Sequence, residues 1–250
     1  VPAIVEARGP ARGTAVLITG CVADSLFSAT NLATARLLAH AGIRVLVPTA
    51  QGCCGALAQH LGNGARAKSQ AAALATLLDA TGADWVVTNA AGCGAHVQTY
   101  EHLLPHDPAA RRIAARARDA LALLDEVGLP TPLHAQAHTI AIHDPCHLAH
   151  GQGVRDPVRR LLAAIPGVRL VPLAESEVCC GSAGTYNLTE PEMAARLLER
   201  KLAHIAASGA DLIAAANPGC LLQIRAGAIA RDLPIEIVHP IDLLAVAHGL

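Results

Sequence analysis

Eight cysteines dominate the chemistry open to this chain: Cys21, Cys53, Cys54 and Cys93, then Cys146, Cys179, Cys180 and Cys220. Corresponding members of the two sets lie 125, 126, 126 and 127 residues apart. Four offsets that agree this closely mark an internal duplication. The flanking residues concur, QGCCGAL matching EVCCGSA and NAAGCGA matching ANPGCLL. Neighbouring cysteines such as Cys53 and Cys54 rarely bridge each other, because the ring strains the peptide between them. A reducing cytosol argues against a disulfide framework as well. Small buried hydrophobes would account for scattered cysteines, but not for a repeated order.

Three chemistries compete for these thiols. A lone nucleophile fits Cys146, which the stretch HDPCHLAH sets between His143 and His147 as candidate bases. That reading leaves seven cysteines unused. A tetrahedral zinc site with four thiolate ligands uses four at a time, although structural zinc favours C-x2-C knuckles over adjacent ligands. Two adjacent thiolates reach different irons of a cluster more readily, and four cysteines suit a [4Fe–4S] centre. All eight cysteines are therefore candidate metal ligands, for an iron–sulfur cluster or, in one or both halves, for zinc. Gly55 and Gly181 follow the cysteine pairs directly, so the backbone there can approach an inorganic core and aim N–H groups at its sulfurs. Together with His143 and His147 they are the expected surroundings of the ligands, where hydrogen bonds tune a reduction potential.

The elements that must position these residues repeat too. Short β-rich runs at residues 14–19, 45–47 and 85–88 precede the first set of cysteines, and runs at 139–142, 169–172 and 212–215 precede the second. Helical spacing fills 29–41, 65–80, 157–164 and 191–208, and a last strand and helix are expected at 235–238 and 241–247. Strands alternating with helices predict an α/β fold of two similar βαβ halves, each with a parallel sheet. The expected halves are residues 1–125 and 139–250, joined by a partly helical, Pro- and His-rich stretch within 111–138. Parallel sheets bind ligands beyond the carboxyl ends of their strands. Cysteines that follow every strand would therefore meet at one edge.

Composition narrows the classes. Nineteen basic and twenty acidic side chains leave a net charge of −1, without the basic stripe that a nucleic-acid partner requires. Apolar residues make up 52% and aromatics 2%, so Ala, Leu, Val and Ile must build the core. No apolar run is long enough to span a bilayer, and no signal segment opens the chain. The expected location is the cytoplasm, or the inner face of the cell membrane as a peripheral component.

The pattern Cys-x31-Cys-Cys-Gly-x37-Cys, then Cys-x32-Cys-Cys-Gly-x38-Cys, resembles the duplicated cysteine-rich CCG domain. That domain occurs in heterodisulfide reductase, in lactate-utilisation and anaerobic glycerol-3-phosphate dehydrogenase subunits, and in the iron–sulfur subunit of glycolate oxidase. The strings CCGALAQHLG, HDPCHLAHGQGVR, CCGSAGTYNL and NPGCLLQ look most like the last of these. The resemblance runs from about Thr14 onward. It implies a cluster-bearing electron carrier that works with a separate flavoprotein subunit and passes electrons toward a quinone, with no substrate chemistry in this chain alone. The alternatives are a zinc-stabilised structural subunit and a cluster-dependent thiol/disulfide reductase. Two departures stand out. Relatives of the glycolate oxidase type carry an N-terminal ferredoxin-like region with two C-x2-C-x2-C-x3-C-P runs, and these 250 residues hold neither run. Heterodisulfide reductase closes each motif with C-x2-C, whereas here His96 and Gln223 hold the position of the final thiol.

Overall fold

A computed structural model describes all 250 residues, Val1–Leu250. They form two compact units, Val1–Pro130 and Thr131–Leu250. In the first, strands β1 (Ile4–Val5), β2 (Gly13–Ile18), β3 (Ile43–Leu46), β4 (Trp85–Thr88) and β5 (Ala117–Asp119) make one sheet in the order β1-β3-β2-β4-β5. Only β1 runs antiparallel, against β3. In the second unit, β6 (Thr139–His143), β7 (Arg169–Val171), β8 (Leu212–Ala215) and β9 (Glu236–Val238) make a wholly parallel sheet in the order β7-β6-β8-β9. Without β1, the two strand orders coincide. The expected α/β architecture of duplicated parallel halves is the one observed.

The local sequence explains the elements. Central strands of a covered parallel sheet are buried on both faces and read as continuous apolar runs. Ala15 through Ile18 of β2 and all four residues of β8 are buried. Asn63 caps the helix Gly64–Asp79 by accepting from the Arg66 amide at 3.1 Å. Proline opens the helices Pro191–Ala207, Pro218–Ala230 and Pro240–Ala247, where its missing N–H leaves no partner wanting.

The stretch expected to join the halves is structured. Residues 108–127 form the helix Pro108–Arg116, then β5, then the helix Ala120–Val127, and they complete the first sheet. β5 reads Ala-Arg-Asp, too short and polar for any periodic signal. The register Val86↔Ala117 to Thr88↔Asp119 is what holds it in the sheet. Buried Asp119 then caps the next helix by accepting from the Leu121 amide at 2.8 Å. The second unit repeats the device with β9, followed by His239, which accepts from the Ile241 amide at 3.1 Å.

Candidate metal centres

Each cysteine stands just past the carboxyl end of a parallel strand, so each unit gathers its four at one sheet edge. Cys21 opens the helix Cys21–Leu26 after β2, and Cys146 opens the helix Cys146–Ala149 after β6. Cys93 and Cys220 lie in the first turns of Ala91–Gln98 after β4 and of Pro218–Ala230 after β8. The adjacent pairs occupy the loops that follow β3 and β7.

In the first unit the Cys21 and Cys53 sulfurs are 3.6 Å apart. The Cys93 sulfur lies 3.7 Å from where a Cβ on Gly20 would stand, which sets it beside the Cys21 turn. Cys54 interacts with both Cys53 and Cys93. In the second unit the contacts run from Cys146 to Cys179, from Cys179 to Cys180 and from Cys180 to Cys220. Cys180 and Cys220 are buried and Cys146 and Cys179 half-buried, and all four line a pocket of about 300 Å³, a volume that includes its opening. His143, His147, Gly184 and Asn217 also line this pocket.

The crowded thiols hydrogen-bond one another. Hydrogen bonds from Cys21, and then from Cys54, hold the Cys53 thiol far below the usual range. Cys146 and Cys180 do the same for Cys179. The donating thiols Cys21 and Cys146 are pushed up in turn, and burial adds to the effect. Backbone N–H groups assist: Gly55 donates to the Cys53 sulfur at 3.4 Å and Gly181 to the Cys179 sulfur at 3.3 Å. Both glycines have left-handed φ, +94° and +91°. A Cβ would come within 2.8 Å of the Ala67 carbonyl oxygen at Gly55, and within 2.4 Å of the Ala194 oxygen at Gly181. No other residue fits these turns.

His143 ends β6, is 1% exposed, and has no nitrogen or oxygen partner at either ring nitrogen. Its donor nitrogen and the Cys180 and Cys220 sulfurs all lie within 4.8 Å of one another. Its partner is sulfur: the ring hydrogen-bonds the Cys220 thiol and helps hold that thiol below the usual range. Half-buried His147 lines the same pocket beside Cys146.

Several residues that frame the sites carry no signal in a linear reading. Gln51 donates to the Leu17 carbonyl at 2.8 Å and accepts from the Thr19 amide at 3.2 Å, clipping the cysteine-pair loop to the end of β2. Asn31 donates to the Thr19 carbonyl at 2.9 Å, and Asn89 reaches Asn31 and Thr34 at 2.9 and 2.8 Å. Tyr100, fully buried, donates to the Cys54 carbonyl at 2.7 Å. In the second unit an ion pair replaces the amides. Asp144 accepts from Arg159 at 2.9 and 2.7 Å and from the Ser176 hydroxyl at 2.7 Å. Burial alone would raise the Asp144 carboxyl, but Arg159 and Ser176 hold it below the usual range. Lys201, 1% exposed, donates to the Glu175 carbonyl and, at 3.3 Å, to that of Ser176, behind the cysteine-pair loop. Asn217 lies 3.4 Å from the Cys220 sulfur, and Asn-Pro at 217–218 is the one sequence hint of that turn.

Fold and site together define a class: a duplicated α/β protein with four convergent thiols at the carboxyl edge of each parallel sheet, a donor set suited to a soft metal or a cluster. The "Cysteine-rich domain" family, CCG, matches residues 15–98 and again residues 140–225. The chain belongs to that family. It is 36% identical over 99% of its length to the "Probable glycolate oxidase iron-sulfur subunit" of Bacillus subtilis (strain 168). It is 35% identical over 90% to the "Glycolate oxidase iron-sulfur subunit" of Escherichia coli (strain K12). It spans 58% and 57% of those two relatives' own lengths. "Lactate utilization protein A" of Geobacillus kaustophilus (strain HTA426) is 34% identical over 91% of the chain, and 97% of that relative is covered.

Proposed function

We propose that each half holds an iron–sulfur centre of the [4Fe–4S] type, bound in one by Cys21, Cys53, Cys54 and Cys93 and in the other by Cys146, Cys179, Cys180 and Cys220. The chain is then the electron-relaying subunit of a complex in which a flavoprotein oxidises a small 2-hydroxy acid and a quinone takes the electrons. The observation that carries this reading is the convergence of four thiols at the same sheet edge in both halves. Such centres, when bound, supply one-electron transfer. The remaining residues hold and insulate. Gly55 and Gly181 direct N–H groups at sulfur, which tunes a potential. Gln51 and the Asp144–Arg159 pair fix the loops that carry the cysteines, and the buried Ala/Leu core keeps water from the deep thiols. The carbon chemistry is assigned to the flavoprotein partner.

Glycolate is the substrate named by two of the relatives. Lactate is the second reading, favoured because the chain covers 97% of a relative named for lactate utilization. No helix is long and apolar enough to cross a membrane, and the work is assigned to the cytoplasm or the membrane's inner face. Anaerobic reconstitution followed by metal and sulfide analysis tests the reading. About eight iron and eight sulfide per chain are expected. Zinc at one ion per half without sulfide would overturn it and favour a structural role. Mixing the reduced flavoprotein with the reconstituted chain should then bleach the visible absorbance. A chain that stays oxidised there is no relay.

A further inference from the structure

The two halves match in their cysteines but not in what surrounds them. His143, at the end of β6, stands where the first half has Ile18 at the end of β2. The substitution is not a surface variation, since both residues are 1% exposed. Imidazole is the polar one, and it meets no nitrogen or oxygen partner at Nδ1 or Nε2. What it does face is a pair of buried sulfurs, with the ligating atoms of His143, Cys180 and Cys220 all within 4.8 Å of one another. Ligands bound to one metal at about 2.0–2.3 Å sit roughly 3–4 Å from each other, so little adjustment brings these three onto one ion.

We propose that His143 is a direct nitrogen ligand of the second centre, which thereby takes four thiolates and one imidazole, while the first takes no donor from that strand position. The assignment rests on the metal-centre reading above. The imidazole would join the centre beside Cys180 and Cys220, the two thiols it faces. The ring already hydrogen-bonds the Cys220 sulfur, so a metal bound by that thiol would lie within its reach. The two centres then differ in composition, and they titrate and respond to ligand loss differently despite their duplicated scaffold. Nitrogen donors on one iron of a cluster shift its potential strongly in other proteins, so the imidazole is a means of separating two otherwise similar centres.

The test uses the full chain, labelled with ¹⁵N-histidine and reconstituted anaerobically, beside His143→Ile, which copies the first half, and His143→Gln, which keeps a polar side chain if the isoleucine variant fails to fold. Iron and sulfide are measured on every sample. Pulsed paramagnetic resonance of the reduced protein should show the strong ¹⁵N coupling of a directly bound nitrogen, lost in either variant that folds and loads. A fully loaded wild type without that coupling overturns the proposal, as does a coupling that survives in the variants. If neither iron nor sulfide is taken up, the iron–sulfur reading is what fails, and cobalt(II) then decides on His143. Visible cobalt bands that change in His143→Gln support the imidazole as ligand, and identical bands overturn it.

Discussion

Position by position, the second half sets ionisable groups where the first is apolar. Ile18 corresponds to His143 and Leu74 to Lys201, whereas His96 and Tyr100 correspond to Gln223 and Gly227. The loops differ in the same sense, an amide clip from Gln51 in the first half against the Asp144–Arg159 ion pair in the second. Exposure differs as well: Cys21 is exposed and only Cys54 buried in the first half, while both Cys180 and Cys220 are buried in the second. Duplication has kept the strand order and the left-handed glycine turns, because those place the sulfurs. The groups around the sulfurs differ between the halves. The lesson is that one scaffold can carry two centres of different character.

The sharpest way to break the comparison is at the shared turn. Gly181→Ala would put a Cβ 2.4 Å from the Ala194 carbonyl oxygen, and Gly55→Ala one 2.8 Å from that of Ala67, both at positive φ. Backbone oxygen cannot swing aside as a side chain can, so each variant should destabilise its own half by about 2–4 kcal/mol. The closer contact should make Gly181→Ala the worse. Hydrogen exchange of the full chain, resolved by half, reads this out. Equal losses in both halves, or none, would refute the assignment of the turns.

A smaller asymmetry is expected from the loop clips. Asp144→Ala removes charge-assisted hydrogen bonds from part-exposed Arg159 and from Ser176 and should cost about 2 kcal/mol in the second half. Gln51→Ala removes neutral hydrogen bonds and should cost about 1–2 kcal/mol in the first. Denaturant melts monitored by half would show the difference, and a larger effect at Gln51 would reverse the comparison. Tyr100→Phe, which strips the Cys54 carbonyl of its buried donor, should likewise cost the first half about 1–2 kcal/mol.

Acid should stabilise the first half through Asp119. Burial raises its carboxyl to about 7, well above the range of an exposed aspartate. The folded state thus holds a proton that the unfolded chain gives up near pH 4. This contribution is full below that pH, declines as pH rises toward 7, and is flat above it. Asp119→Asn should erase the slope while keeping a capping oxygen for the Leu121 amide. An unchanged pH profile would refute the buried carboxyl as its source. His239 takes this place in the second half, so the Asp119 slope belongs to the first alone.

The smallest effect concerns Lys201. A buried ammonium behind the second cysteine-pair loop favours the reduced, more negative state of a nearby centre. Lys201→Met should therefore lower the second centre's reduction potential by an amount equivalent to on the order of 1 kcal/mol. A redox titration of the reconstituted chain that shows no change, or a rise, would remove Lys201 from the comparison.

The linear order of residues settles the duplication, the α/β alternation and the eight thiols, since equal offsets and apolar runs are one-dimensional facts. β4 and β8 fall where the β-rich runs at 85–88 and 212–215 put them, because a short apolar run bounded by polar turns has few other ways to bury itself. β5 and the helix Pro218–Ala230 escape such a reading. The first is three residues held by its neighbour's register, and the second is apolar nearly all round, without a clean face to count. Distances across the sheet edge are another matter. They depend on which strands lie side by side and on how far each loop reaches, and neither follows from spacing along the chain. His143 reads as a strand-end histidine three residues before a cysteine. Only packing turns its ring away from water and toward Cys180 and Cys220, and only packing slides Lys201, from the far side of a long helix, beneath the loop of the cysteine pair. Side chains remote in sequence meet because burying the apolar faces of parallel strands and their helices leaves a single edge on which their carboxyl ends can converge.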